Sequence, residues 1–152
     1  MSGATLRTDG GARGNPGPAG AAFVLEGQNG RIACGGRFLG EATNNVAEYE
    51  ALVWGLENAR AANVDDILVL MDSELIVKQL LGAYKVKNSG LKPLFVRVME
   101  LRREFSAFEV RHVRREENKL ADALANEAMD ARADVGDPLC APGGSASQES
   151  LF

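Results

Sequence analysis

Thr8-Asp9-Gly10-Gly11-Ala12-Arg13-Gly14-Asn15-Pro16-Gly17-Pro18 follows a short run of alternating character, Ala4 to Thr8, that reads as a strand. The strand stops at a carboxylate, Asp9, and the chain enters a turn dense in glycine and proline. A carboxylate where a strand ends is held by the sheet yet open to solvent, which suits a metal ligand. Three further acids stand in distinctive contexts: Glu48 after Thr43-Asn44-Asn45, Asp72 before Ser73, and Asp122 within Asn118-Lys119-Leu120-Ala121-Asp122. Four acids in one small domain need a fold that gathers them and a cation that tolerates the gathering.

The segments around these acids predict such a fold. Ala19 to Glu26 and Arg31 to Leu39 read as two more strands, joined at Gln28-Asn29-Gly30, where Asn-Gly signals a hairpin. Thr43-Asn44-Asn45 offers polar caps to a helix reaching about Ala62, within which Val46, Tyr49, Leu52, Val53 and Leu56 keep helical spacing. Asp66 to Met71 holds the aliphatic run Ile67-Leu68-Val69-Leu70 of a buried central strand. Asp72-Ser73 ends it and caps a helix from Glu74 to about Leu81. After Gly82 to Gly90, a second helix runs from about Leu91 to Glu104, with Pro93 tolerable in its first turn. Phe108 to Val113 alternates as a strand, and Glu116 to about Arg132 forms the last helix.

The order βββαβαβα predicts an α/β fold: a five-stranded mixed sheet with helices on both faces. If the first and fourth strands are parallel neighbours, Asp9 and Asp72 lie side by side at one sheet edge. Open α/β sheets present their chemistry there. Hard oxygen ligands favour Mg²⁺ or Mn²⁺ over zinc.

At 152 residues, the chain is expected to form one domain over residues 1–132 with a substantial core. No apolar run approaches the roughly 20 residues that span a bilayer, and no basic-then-apolar leader opens the chain. A cytoplasmic monomer without membrane contact is expected, with Cys34 and Cys140 as free thiols. The net charge of −4 hides an asymmetry: residues 75–115 carry ten Lys/Arg against three Asp/Glu. A basic middle segment is compatible with phosphate contacts. From Ala133 the texture turns to Gly, Pro, Ser, Ala and acids, predicting a flexible linker over 133–147.

Taken together, Thr8-Asp9-Gly10-Gly11 with Gly14-Asn15-Pro16-Gly17-Pro18, Thr43-Asn44-Asn45 with Glu48, Met71-Asp72-Ser73, and Asn118 with Ala121-Asp122 closely resemble type 1 ribonuclease H. The resemblance covers residues 4 to 130 in the family's order. It implies the ribonuclease H fold and an Asp-Glu-Asp-Asp site of Asp9, Glu48, Asp72 and Asp122. It also implies an endoribonuclease that hydrolyses the RNA strand of RNA–DNA hybrids with two divalent ions about 4 Å apart, one activating water and one steadying the leaving oxygen. The implied products carry 5′-phosphate and 3′-hydroxyl ends. Asn15, Asn44 and Asn45 match family positions that contact the hybrid, with backbone groups near Gly11 assisting. Thr43 and Asn88 resemble the family's pocket for a DNA-strand phosphate.

Two departures from the family pattern stand out. The long basic protrusion of many members shrinks here to Gly82-Ala83-Tyr84-Lys85-Val86-Lys87-Asn88. The loop before the last helix lacks the mobile His of many members and reads Arg114-Arg115-Glu116-Glu117. Arg115 is the candidate for its role, with Arg114 close behind. The chain's single His, His112, shares the alternation of Phe108 and Val110 and is expected to pack within the strand. The last five residues, Gln148-Glu149-Ser150-Leu151-Phe152, resemble the short motif by which bacterial replication and repair proteins dock on the DNA sliding clamp. Gln148, Leu151 and Phe152 are its anchors.

Overall fold

The computed structural model describes residues 3–136. Strands β1 (Gly3–Ala12), β2 (Gly17–Gly27) and β3 (Gly30–Ala42) form an antiparallel meander, followed by helix α1 (Asn44–Ala61). The chain continues through β4 (Asp66–Met71), α2 (Glu74–Leu80), α3 (Lys92–Arg102), β5 (Ala107–His112), a short 3-10 turn (Arg115–Glu117) and α4 (Lys119–Ala131). The sheet order is β3-β2-β1-β4-β5, with β4 parallel to both β1 and β5. The mixed five-stranded sheet is therefore as expected, and the crossover from β4 to β5 carries two helices.

The first strand is longer than its sequence suggests. Gly10, Gly11 and Ala12 continue the ladder, pairing with Ala21, Gly20 and Ala19. The parallel ladder on the other side ends earlier, at Thr8 against Met71. Asp9 thus stands where β1 loses one neighbour and keeps the other. The last helix, by contrast, starts later than expected. Residues 115–117 form a separate turn in which Glu117 Oε1 accepts from the Arg114 N–H at 3.1 Å. Asn118 then breaks the run with φ −128° and ψ 32°.

Both faces of the sheet are covered. Alternation along β2 sends Phe23 and Leu25 toward α1, and Ala22 and Val24 toward α4. On the first face, Leu6, Leu52 and Leu56 are fully buried, each contributing about 1.5–3 kcal/mol. Val98 and Leu101 of α3 and Ile76 and Leu80 of α2 complete that core. On the second face Ala121, Leu124 and Ala125 of α4 pack on the small residues of β2. Here backbone meets backbone: a Cβ on Gly20 would lie 2.7 Å from the Ala125 carbonyl oxygen, and one on Gly36 would lie 2.5 Å from that of Leu124.

Beyond α4, Val135 pairs with Gly36 of β3 through bonds of 2.9 and 2.8 Å. Cys34, expected as a free thiol, is instead disulfide-bonded. Cys140, most of the expected 133–147 linker, and the motif of Gln148, Leu151 and Phe152 lie outside the described residues. Among the described residues no helix is long and apolar enough to cross a membrane.

One contact sets where α1 begins relative to the sheet. A Cβ on Gly10 would fall 2.3 Å from the Ala47 carbonyl oxygen and 2.7 Å from the Glu48 nitrogen. The first turn of α1 therefore rests directly on the β1 backbone, one residue past Asp9. Gly10→Ala is expected to lose about 1–3 kcal/mol in urea denaturation, because the helix must retreat. A loss below about 0.5 kcal/mol would show that the contact does not constrain the helix.

Candidate active site

Each acid arrives by a different element. Asp9 and Asp72 follow directly on the last register pair of β1 and β4, Thr8 and Met71, so the parallel pairing places them side by side. Glu48 comes from the α1 turn seated on Gly10. Thr43 Oγ1 caps that helix, accepting from the Val46 N–H at 3.2 Å. Ser73 Oγ accepts from the Ile76 N–H at 3.4 Å and starts α2 immediately after Asp72. Asp9, Glu48 and Asp72 each offer an oxygen such that the three lie within 4.8 Å of one another. Asp122, from the first turn of α4, stands outside this trio but lies close enough for its carboxyl to raise Asp9.

The electrostatics follow from that crowding. Asp9 is raised from 3.8 to about 8, first by burial and then by the charges of Asp72 and Asp122. Glu48 is pushed well up by burial and by Asp9 and Asp72, against a hydrogen bond from the Gly10 backbone. Burial also raises Asp72. Arg115 opposes all three shifts. Two carboxylate oxygens, Glu48 Oε1 and Asp72 Oδ2, are buried with no hydrogen-bond partner. Buried acceptors are ordinarily satisfied, so these need an unseen donor or cation. Oxygen-only donors with orphaned oxygens fit a hard divalent ion of the Mg²⁺ or Mn²⁺ class.

An open cleft of about 540 Å³ surrounds the acids, lined also by Gly11, Arg13, Asn44, Arg115 and Asn126. Of the two loop arginines, Arg115 faces this cleft, while Arg114 is exposed and pairs with Glu116 at 3.6 Å. His112 does not pack within the strand as expected. It ends β5, exposed, opposite Met71, and its charge bears on Asp72. Phe108 and Val110 are covered, but the strand stops where the covering layer does.

The asparagines expected at the substrate form a chain of their own. Asn15 Oδ1 accepts from the Asn44 N–H at 3.0 Å, and Asn44 Oδ1 accepts from the Ala12 N–H at 2.7 Å. Both Nδ2 groups make no hydrogen bond to the described residues, so the turn and the helix start present two amide donors beside Gly11. Asn45 sits next to Asn44 in the first turn of α1. Asn88 lies apart from this chain, exposed between α2 and α3, where its Oδ1 accepts from the Gly90 N–H at 2.7 Å. No hydrogen bond joins it to Thr43.

One residue of the site carried no role in the sequence reading. Asn118 stands where a helix cap is expected, but its side chain makes no cap bond. Instead Nδ2 donates to the Thr8 carbonyl at 2.8 Å, and the amide also lowers Asp72. Its own carbonyl accepts from the Asp122 N–H at 3.1 Å. The buried amide thus links β1, the end of β4 and the start of α4.

Comparison with known proteins agrees with this geometry. The family described as Reverse transcriptase-like matches residues 7–128. The chain is 48% identical over 123 residues to ribonuclease HI of Halobacterium salinarum, covering 80% of this chain and 62% of that protein. The crystal structure of RNase H1 from that archaeon superposes with a TM-score of 0.82 at 45% identity, covering 85% of this chain and 98% of the other. A bifunctional protein of Mycobacterium tuberculosis is 43% identical over 130 residues, 84% of this chain and 36% of its own length. This chain therefore spans only part of both curated relatives. LC11-RNase H1, crystallised in complex with an RNA/DNA hybrid, superposes with a TM-score of 0.81 at 42% identity, covering 85% of this chain and 98% of that one.

The raised acids make a stability prediction. Folded, Asp9 keeps its proton up to about pH 8, whereas an unfolded chain releases it near 3.8. Between those values the folded state binds more protons, so the metal-free protein loses stability as pH rises. Asp9→Asn removes that burden. In EDTA it is expected to raise the melting temperature at pH 8 by ~3 °C or more, corresponding to about 1 kcal/mol, with the gain vanishing near pH 4. Equal melting temperatures at both pH values would contradict the crowded-carboxylate reading.

Proposed function

This chain belongs to the ribonuclease H family, and we propose that it is an endoribonuclease that hydrolyses the RNA strand of RNA–DNA hybrids. The observation that carries this reading is the acid cluster, with its two orphaned oxygens, set beside two asparagines whose Nδ2 groups are unengaged.

Asp9, Glu48, Asp72 and Asp122 would hold two Mg²⁺ ions, with Mn²⁺ as a substitute. When bound, such ions supply an activated water and charge stabilisation at the leaving oxygen. The remaining roles belong to the chain itself. Asp9, between the ends of two strands and in contact with both Asp72 and Asp122, is the central ligand. Asp122, reaching the trio from a helix start, is the peripheral one. Asn15, Asn44 and Asn45 read the RNA strand across the wide minor groove, where an amide can donate to a 2′-hydroxyl or base edge. Gly11 leaves room for that approach, and Thr43 and Asn88 contact the DNA-strand backbone. Arg115 is a fixed cation facing the acids, suited to steadying the departing phosphate. The products carry 5′-phosphate and 3′-hydroxyl ends.

Gln148, Leu151 and Phe152 would dock on the DNA sliding clamp, holding a cytoplasmic, monomeric enzyme near replicated DNA through its 133–147 linker. With so short a basic segment after α2, such a tether would offset weak intrinsic affinity for the hybrid. Deleting residues 148–152 is expected to abolish clamp pull-down while hybrid cleavage continues. Clamp binding that survives the deletion would overturn this part.

The function itself is tested with a labelled hybrid beside single-stranded RNA, double-stranded RNA and DNA, with and without Mg²⁺. Mg²⁺-dependent cleavage of the hybrid's RNA strand is expected, falling on the order of 10³-fold in Asp9→Asn. Arg115→Ala is expected to slow turnover about 10- to 100-fold at unchanged Mg²⁺ dependence. A protein that binds hybrid but cleaves nothing with either metal would be a binding module instead. An unchanged Arg115→Ala rate would exclude that residue.

A further inference from the structure

Arg13 is the one cation besides Arg115 among the residues lining the cleft, against four carboxylates. Its backbone is fixed by the turn that follows β1. The Arg13 N–H donates to the Pro18 carbonyl at 2.8 Å, and a Cβ on Gly17 would lie 2.1 Å from the Arg13 carbonyl oxygen. Gly14, at φ 96°, completes a fold-back that side chains rarely adopt. The guanidinium therefore leaves from a rigid base, two residues before Asn15.

Its present partners hold it at the solvent-exposed surface. Nη1 meets Asp130 Oδ1 at 2.6 Å, while Nη2 makes long contacts of 3.3 and 3.4 Å to the Asn126 side chain and carbonyl. Nε donates to nothing among the described residues. The ion pair sits in solvent, with Arg13 46% and Asp130 69% exposed, and Asp130 itself does not line the cleft. Exposed pairs of this kind contribute little. A phosphate offers a guanidinium two parallel charge-assisted bonds, which a single carboxylate oxygen does not.

We propose that Arg13 is a phosphate-contact residue of the cleft, parked on Asp130 in the free protein and transferred to a backbone phosphate of bound nucleic acid. This rests on the hybrid-binding reading above. The exchange breaks one exposed ion pair and forms a bidentate one, and Asp130 returns to solvent. Arg13 and Asp130 thus act in opposition: one attracts the substrate and the other competes for the attractor. A mere staple between turn and helix would make them act alike.

That opposition is the test. Hybrid binding is measured by fluorescence anisotropy in the Asp9→Asn background, between about 50 and 200 mM salt, alongside thermal melting. Arg13→Ala is expected to weaken binding five- to tenfold at ~50 mM salt and to flatten the dependence of log K on log salt by about 1. Asp130→Asn is expected to tighten binding about twofold, and the gain is expected to vanish when Arg13→Ala is also present. Binding by Arg13→Ala within twofold of its parent, with the same salt slope, would overturn the proposal. So would an Asp130→Asn gain that persists without Arg13, or matched losses in both single variants accompanied by lower melting temperatures. Hybrid cleavage by the unaltered chain is measured in parallel. If it cleaves while Arg13→Ala binds normally, only the Arg13 role fails. If it neither binds nor cleaves the hybrid, the functional reading beneath it fails.

Discussion

Three carboxylates held within 4.8 Å of one another, two of them with a buried oxygen that nothing satisfies, set the terms for the rest of this molecule. Left to themselves they would separate or take up protons, as the upward shifts of Asp9, Glu48 and Asp72 indicate. The fold withholds the first option. Asp9 and Asp72 are fixed by adjacent parallel strands, and Glu48 by a helix resting on the β1 backbone at Gly10. A site that stores repulsion in this way is prepared for cations. The same crowding that burdens the empty protein favours metal binding, because the ligands need no further gathering.

Much of the scaffold serves that gathering from behind. On one face α1 packs through large side chains, Leu52 and Leu56 among them, onto Leu6 and Phe23. On the other face α4 lies close on Gly20 and Gly36, where no side chain intervenes, and this brings the Asp122 carboxyl near enough to raise Asp9. Asn118 ties the two sides together from beneath. It is bonded to the Thr8 carbonyl and accepts from the Asp122 amide, so the fourth acid is located by the strand that carries the first.

What could be read from sequence was local or periodic. The aliphatic run of β4, bounded by Asp66 and the Asp72-Ser73 cap, was legible to the residue because both signals agree. A polar cap for α1 was legible within Thr43-Asn44-Asn45, of which Thr43 takes the role, and the placing of Asp9 beside Asp72 followed once the first and fourth strands were taken as parallel neighbours. The continuation of β1 through Gly10 to Ala12 was not, because glycines read as breakers until β2 is known to pair with them. Asn118 falls within the helix expected from Glu116 and carried no role there, since only the folded chain brings the Thr8 carbonyl within its reach. His112 reads as interior because alternation says which face a residue takes, not where the cover on that face ends. The Arg13 to Asp130 pair joins positions that no local pattern relates.

Arg115 and the Asn118 amide offset the crowding of the acids only in part, and a divalent cation is needed to complete the compensation. Site-resolved carboxyl titration by ¹³C NMR, in EDTA and then in Mg²⁺, reads this compensation at Asp9 itself. Asp9 is expected to titrate near pH 8 in the metal-free protein and to fall into or below the ordinary carboxylate range once Mg²⁺ is added. An Asp9 that titrates near 4 without metal, and does not respond to Mg²⁺, would contradict it.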